Sequence, residues 1–506
     1  MLQQTFRHIK GVGQKTEILL WKLGIRNWED FIRKLKQIPL TEKKKKLILE
    51  SIKVSIKALK KGNIKFFYNN LNKPDWWRLY PEFLSRTAFL DIETTGLSPI
   101  YNDITIIGIL DESGYKVYFK GHNMKKFLKD ITKYSIIVTF NGSRFDLPFL
   151  KKKFPKVCFP PVHIDLKYLV RRVGLWGDLK KIEKELGIRR PKVISRINGY
   201  YATVLWNRFL RGDGKSLELL IRYNYEDTFN LRLILDKIYP QLVKHVNKYS
   251  RNEQKISFNP RQKRVKILVH RKNTHSFSVR IGKKQYRINL QKAKTNIATI
   301  NTVLRRLRKK GNLPIVIGVD LSASARRASG LAVLKGKDAI VTTAKTDMEI
   351  INYILKYRPA VVSIDSPLGV PRRKSEIMRK CEKELRKRGI PVFPCLLPSM
   401  KKLTKRGIRI KTSLMRKRLH VIECYPGAAQ DILRITRKKV SVTELLEGLK
   451  NFGIHIRKND GTKVTHHELD AVTSAIVGYF YLTGMYEALG DKKESKIIIP
   501  RFSILK

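Results

Sequence analysis

Acidic residues are scarce in this chain. Its 506 residues include 42 Asp and Glu against 106 Lys and Arg, a formal net charge of +64. A heat-adapted surface would raise Lys and Glu together, and here Glu does not keep pace. Such an excess costs self-repulsion, which a polyphosphate partner relieves while releasing counterions. Nucleic acid is therefore the expected partner. Cysteine is scarcer still: Cys158, Cys381, Cys395 and Cys424 are scattered, with no Cys-x-x-Cys pair and no His at ligand spacing. This argues against a disulfide framework or thiolate zinc site and for reduced thiols. No apolar run approaches membrane-spanning length, and MLQQTFRHIKG lacks the apolar stretch of a signal peptide. A soluble, cytoplasmic protein without a membrane partner is expected.

What is present is enough for several cores, and the length sets a prior of two to four domains. Residues 1–75 carry apolar positions at helical spacing, from Ile18 and Leu23 to Leu47, Ile52 and Ile56. From Ala88 the period changes: AFLDIE, ITIIGIL, KVYF and IIVTF read as strands. Helices are expected around 145–153, 165–186, 200–210 and 216–238, the last closing near Pro240. Residues 76–245 thus read as a mixed α/β domain. Arg251 to Lys310 holds 19 Lys or Arg and one acid, Glu253. There a hairpin turning at Gly282-Lys283-Lys284 and a basic helix, TVLRRLRKK, make 246–312 a basic connector facing nucleic acid. At 313 the strand and helix alternation restarts, with IVIGVD, GLAVL, AIVTTA, AVVSID and VIEC as strands and HHELDAVTSAIVGYFYL as a late helix. The second domain, 313–506, therefore has an architecture related to the first.

The scarce acids fall at informative places. Asp91 and Glu93 lie two apart on one strand and share a face. Asp146 follows the strand and loop VTFNGSRF. Asp227 sits on a helix with Tyr223 four residues earlier, one turn away on the same side. Gathered carboxylates repel one another, so a fold that collects them does so to hold divalent cations. In a basic chain this points to metal-dependent phosphodiester cleavage. Tyr223 is placed to orient or deprotonate a water. His163 and Asp165 fit a hydrogen-bonding role as well as a catalytic one, and Asn141 fits the turn before Asp146.

The three segments LDIETTG, NGSRFDLPFL and YNYEDTFN resemble the three motifs of DEDD 3′–5′ exonucleases, in the DnaQ-like subtype with Tyr-x-x-x-Asp (DEDDy). Residues about 75–240 resemble more closely the YprB-type ribonuclease H-like domain, including the spacers His163-Ile-Asp165-Leu and LKKIEKELGI. The resemblance implies Asp91, Glu93, Asp146 and Asp227 as metal ligands and Tyr223 as the water-orienting residue. It also implies two Mg2+ or Mn2+ ions, a choice that all-oxygen ligation leaves open.

The second domain has its own set. Asp320 ends IVIGVD, Asp365 ends AVVSID, Glu423 lies in VIECYP, and Asp470 follows His467 and Glu468 on the late helix. Residues about 313–504 resemble a family of predicted nucleases with a ribonuclease H-like fold, through GVDLSA, SIDSPLGVP, VIECYPGAAQDIL and HHELDAVTSA. That implies a second metal set of Asp320, Asp365, Glu423 and Asp470, with His467 and Glu468 as proton carriers or outer ligands. Arg372, Arg373, Arg379, Arg386 and Arg406 are candidates to bind phosphates.

At the amino terminus, Gly11-Val12-Gly13 between two short helical runs, followed by Lys15, resembles a helix-hairpin-helix element. Its backbone N–H groups would grip a phosphate without reading sequence. The whole chain is thus expected to be α/β, two ribonuclease H-like mixed-sheet domains preceded by a small helical domain and joined by a basic connector. The leading expectation is a metal-dependent 3′–5′ exonuclease acting on DNA or RNA. Two other readings stay open: a structure-selective endonuclease using the second acidic set, and a non-catalytic nucleic-acid scaffold.

Overall fold

The computed structural model describes residues 1–501 except 196, 198, 248–264, 274–275, 291–299, 310, 374 and 439–440. Two compact units emerge, Met1–Glu93 with Ile104–Ala293, and Thr94–Asp103 with Lys294–Lys506. The fold is mixed α/β, as the alternation of strand and helix patterns predicts, and its sheets are consistent with the ribonuclease H-like architecture that the resemblance implies. No helix among the described residues is long and apolar enough to cross a membrane.

In the first unit, β1 (Thr87–Thr94), β2 (Ile104–Asp111), β3 (Gly114–Phe119), β4 (Ile136–Thr139) and β5 (Val162–Asp165) form a five-stranded sheet in the order β3-β2-β1-β4-β5. β3 runs antiparallel to β2, whereas β4 is parallel to β1 and β5. Strand alternation divides β1 between two cores. Ala88, Leu90 and Ile92 enter one, while Phe89 enters the other, which puts Asp91 and Glu93 on the Phe89 side. That side is covered by the helix Gly214–Val246, started by Asp213, whose Oδ1 accepts from Lys215 N and Ser216 N. The helix runs through Pro240 instead of closing there. A proline in a helix interior costs about 3 kcal/mol. Burial of Ile238, Tyr239, Leu242 and Val243 around it returns about 1.5–3 kcal/mol for each large apolar side chain.

The same core takes in Ile48, Ile52, Phe67 and Trp77 from the amino-terminal helices. It also takes in Phe277, Val279 and Ile288 from a three-stranded antiparallel sheet, β6 (Ile267–Asn273), β7 (Ser276–Ile281) and β8 (Lys284–Asn289). β7 and β8 form the expected hairpin, turning at Gly282 with φ 57, and β6 adds a third strand. The basic helix Ile300–Arg308 buries Ile300, Val303, Leu304 and Leu307 in the core of the second unit. Before Gly11 the chain makes only a single 3-10 turn, Leu2–Gln4, where a helical run is expected.

The second unit is built on β9 (Ile315–Asp320), β10 (Ser329–Lys335), β11 (Asp338–Ala344), β12 (Val361–Asp365), β13 (Val421–Cys424), β14 (His455–Lys458), β15 (Tyr486–Leu489) and β16 (Ile497–Pro500), in the order β14-β11-β10-β9-β12-β13-β16-β15. The central run β11-β10-β9-β12-β13 repeats the first sheet's order. The helix His466–Leu482 lies directly on it: a Cβ on Gly318 would meet Ala471 O at 1.9 Å, and one on Gly330 would meet His467 O at 2.2 Å. β5, β14, β15 and β16 are too short to announce themselves by alternation.

Candidate active site

The first acidic set converges. Asp91 and Glu93 from β1 and Asp227 from the long helix bring one carboxylate oxygen each to within 4.8 Å of one another; among the described residues no other group of three or more does so. Glu93 and Asp227 are 5% and 6% exposed. A bare glycine makes this approach feasible, because a Cβ on Gly108 of β2 would sit 2.1 Å from Asn224 Oδ1 and 2.6 Å from Thr228 Oγ1 of the helix. Asn224 then donates to Asp91 Oδ2 at 2.7 Å and accepts from Tyr115 OH at 2.7 Å.

Burial pushes the Asp91 carboxyl well above the usual carboxylate range, and Asp227, Glu93 and Asp146 add to it. Glu93 is raised by burial and by Asp227. Three crowded carboxylates, Glu93 and Asp227 buried and Asp91 half-buried, need positive charge. Part of it comes from Arg190, whose Nη1 lies 2.5 Å from Asp227 Oδ1 without hydrogen-bond alignment, and which also pairs with Glu183. Glu93 Oε1 is buried with no hydrogen-bond partner among the described residues. An all-carboxylate donor set with an orphaned oxygen fits a hard divalent cation.

Asp146 stands beside this trio. It opens the helix Asp146–Lys153 and accepts from Ile92 N at 3.2 Å, and burial raises its carboxyl to about 7. Tyr223 is buried one turn before Asp227, its ring 5.8 Å from Lys180 Nζ and 6.0 Å from the Arg190 guanidinium. Burial and the neighbouring Asp227, Glu93 and Asp91 raise its phenol, keeping it protonated. Asp165 holds the loop before Asp146, accepting from Asn141 N at 2.7 Å and Ser143 Oγ at 2.7 Å, while His163 pairs with Thr139 Oγ1 at 2.8 Å. Asn141, with φ 63, shapes that turn. Sequence reasoning missed Asn224, Tyr115 and Arg190. Asn224 is the one with a signal, lying three residues before Asp227 in YNYED.

In the second unit, Asp320 and Asp365 pair in register at the carboxyl ends of β9 and β12, beside Asp470 from the helix. They line a cavity of about 310 Å³ with Lys438. Lys438 Nζ lies 2.5 Å from Asp470 Oδ2 and 3.6 Å from Asp320 Oδ2. Gln430 Nε2 donates to Asp470 Oδ1 at 2.7 Å, and His467 Nδ1 meets Asp320 Oδ2 at 2.6 Å. Asp365 is pushed well above the carboxylate range by burial, then by Asp320 and Asp470. Glu423 lines the same cavity and its charge acts on Asp365, but its oxygens are committed elsewhere. Both its oxygens are taken by Arg379 Nη1 and Nη2, at 2.8 and 2.6 Å, and Oε2 also accepts from Leu368 N. Glu468 closes a capping box with Thr465 and pairs with Lys458. Arg379 and Arg406 are both buried and committed, Arg406 to Asp347 and the Ser322 and Lys345 carbonyls, so neither presents a free guanidinium to phosphate.

At the amino terminus, Gly11 has φ +80 and Gly13 caps the helix Gln14–Lys22, with Lys15 exposed.

Residues 88–239 match the RNase_H_2 model of the RNase H superfamily. The chain therefore contains an RNase H-like domain, and the match spans Asp91, Glu93, Asp146, Tyr223 and Asp227. Such a fold points to a nuclease acting on nucleic acid, with divalent metal as its usual helper. No curated protein matches the chain.

Proposed function

We propose that this protein is a 3′–5′ exonuclease of the DEDDy type, removing nucleotides from nucleic acid through Asp91, Glu93, Asp146, Asp227 and Tyr223. The observation that carries this reading is the meeting of Asp91, Glu93 and Asp227 within 4.8 Å, inside the stretch that matches the RNase H superfamily. Asp91, Glu93 and Asp227 would hold Mg2+ or Mn2+, with Asp146 beside them. Such ions, when bound, supply an activated water and charge stabilisation for the leaving oxygen. Asn224 fixes the Asp91 carboxylate, and Arg190 neutralises Asp227. Tyr223 stays protonated and orients the attacking water, as its raised phenol favours. The turn at Gly11 and Gly13, with Lys15, would hold the strand by its backbone. The test is purified protein with Mg2+ or Mn2+ on 3′-labelled single strands. Asp91→Asn should lose degradation and keep binding; full activity in that variant sinks the assignment.

A second reading is favoured by the in-register pair Asp320 and Asp365 beside Asp470: a structure-selective endonuclease in the second unit. Circular single-stranded DNA separates the two, since only an endonuclease linearises it.

A further inference from the structure

We infer that a cavity in the first unit, away from the acidic centre, is a phosphate-binding site. Its volume is about 930 Å³, and its wall carries Arg7, Lys73, Asp75, Arg78, Arg172 and His245. Asp75 is the one carboxylate on that wall among the described residues, shared between Arg7 Nε at 3.2 Å and Arg78 Nη2 at 3.3 Å. Behind the wall, Glu17 takes Arg78 Nη1 at 3.1 Å. Among the described residues, Arg7, Lys73, Arg78 and Arg172 thus stand against Asp75 and Glu17, four cations to two anions, an excess of two positive charges even with His245 neutral.

Two of these guanidiniums add to the positive charge of the wall, Arg78 from behind it and Arg172 at its surface. Arg78 is fully buried, yet its Nε has no hydrogen-bond partner among the described residues. Arg172 is half-buried at the end of the helix Leu166–Arg172. Burial lowers its pKa, Asp75 opposes this, and the nearby Arg78 and Arg7 lower it further. Guanidiniums gathered around open volume, with too few carboxylates to satisfy them, are stabilised by an oxyanion. The planar fork of Arg matches phosphate in particular. The volume falls in the range of small-ligand sites, so it admits a phosphate together with an attached nucleotide. This site goes beyond the hairpin contact proposed above and does not depend on hydrolysis.

Two sources share that chemistry, a phosphate within a strand and a free phosphate, and the experiment separates them. Arg172→Gln and Arg172→Lys are compared with wild type and with Lys46→Gln, which removes one charge from an exposed helical position. The probes are a fluorescein-labelled single strand of about 12 nucleotides, within usual single-strand site sizes, read by anisotropy, and inorganic phosphate, read by calorimetry. Both are run in EDTA, so the result is independent of whether the acidic centre cleaves. Arg172→Gln should weaken strand binding about tenfold relative to Lys46→Gln, the worth of one charge-assisted hydrogen bond. It should also flatten the salt dependence by about 0.7, one phosphate contact on a single strand. A loss confined to inorganic phosphate assigns the site to a free phosphate, and this also supports the inference. Arg172→Gln binding both probes as Lys46→Gln does overturns it. Should Arg172→Gln fail to fold, Arg172→Lys decides: weaker binding than wild type supports the site, and equal binding overturns it.

Discussion

The two units carry the same strand order at their centres and treat their acids differently. In the first, Asp91, Glu93 and Asp227 close to within 4.8 Å, one pairs with Arg190, and Glu93 keeps an unpartnered oxygen. In the second, Lys438 sits between Asp470 and Asp320, while Gln430 and His467 take further oxygens. Topology brings carboxylates to one place in both sheets. The residue that neutralises them decides how much demand for an external cation is left. A lysine reaching into an acidic pocket answers that demand from within the chain.

The sharpest test of this contrast is the loss of one acid from each unit. Asp91→Asn should cut Mg2+-dependent degradation of 3′-labelled strands by more than about a hundredfold, since partners outside the ligand shell alone are worth 10–100-fold. Asp320→Asn should leave that activity nearly unchanged; equal losses would erase the distinction.

The glycines beneath the two helices give the next contrast. Gly318→Ala would press on backbone, Ala471 O, whereas Gly108→Ala would press on the side-chain tips of Asn224 and Thr228. Gly318→Ala should destabilise its unit by about 3 kcal/mol or more, at the upper end of overpacking costs. Gly108→Ala should cost less stability and show up instead as lost activity through the displaced Asn224. Chemical denaturation and the 3′-end assay separate the two outcomes.

Acid should also tell the units apart. His8 is buried in the first unit, with a pKa lowered by burial from 6.5 to about 4, whereas none of the second unit's described histidines is buried. The folded form refuses a proton that the unfolded chain accepts. The stability is therefore complete above pH about 6.5 and is lost as pH falls towards 4, amounting to about 3 kcal/mol. Melting curves of wild type and His8→Gln across that window should converge as the pH drops; parallel curves would remove His8 as the cause.

The smallest expected effect is the most diagnostic for the second unit. Lys438→Met removes the lysine charge from Asp470 and Asp320, leaving them Gln430 and His467 as partners. It should lower stability by about 1–2 kcal/mol, less than a fully buried pair would lose because Lys438 is partly exposed. Added Mn2+ should then restore the melting temperature of the variant and barely move wild type. A variant indifferent to Mn2+ would mean that these acids do not make a cation site.

Much of the first centre was readable residue by residue. Asp91 and Glu93 share a face because strands repeat every two residues, and Tyr223 and Asp227 share one because helices repeat near four. Asp320 and Asp365 at strand ends were readable for the same reason. Glu423 looked equivalent on its strand, yet Arg379, 44 residues earlier, occupies both its oxygens. No spacing rule carries such a partner. Arg190 and Lys438 were hidden in the abundance of basic residues, where one cation looks like any other until it is placed. Pro240 misled because its local cost is visible in the chain, while the burial that outweighs it is not.

Local periodicity and composition, then, sufficed for the longer elements and for which acids share a face, and pointed to a polyanionic partner, because these depend on near neighbours and on summed charge. Which carboxylates meet, which are neutralised by Arg190, Lys438 or Arg379, and which guanidiniums gather around open volume depended on packing between distant segments. Charge interactions are strengthened by the low dielectric of a folded interior and grow as charges approach, so their outcome is settled by which segments pack together, and glycines such as Gly108 and Gly318 permit the close approaches.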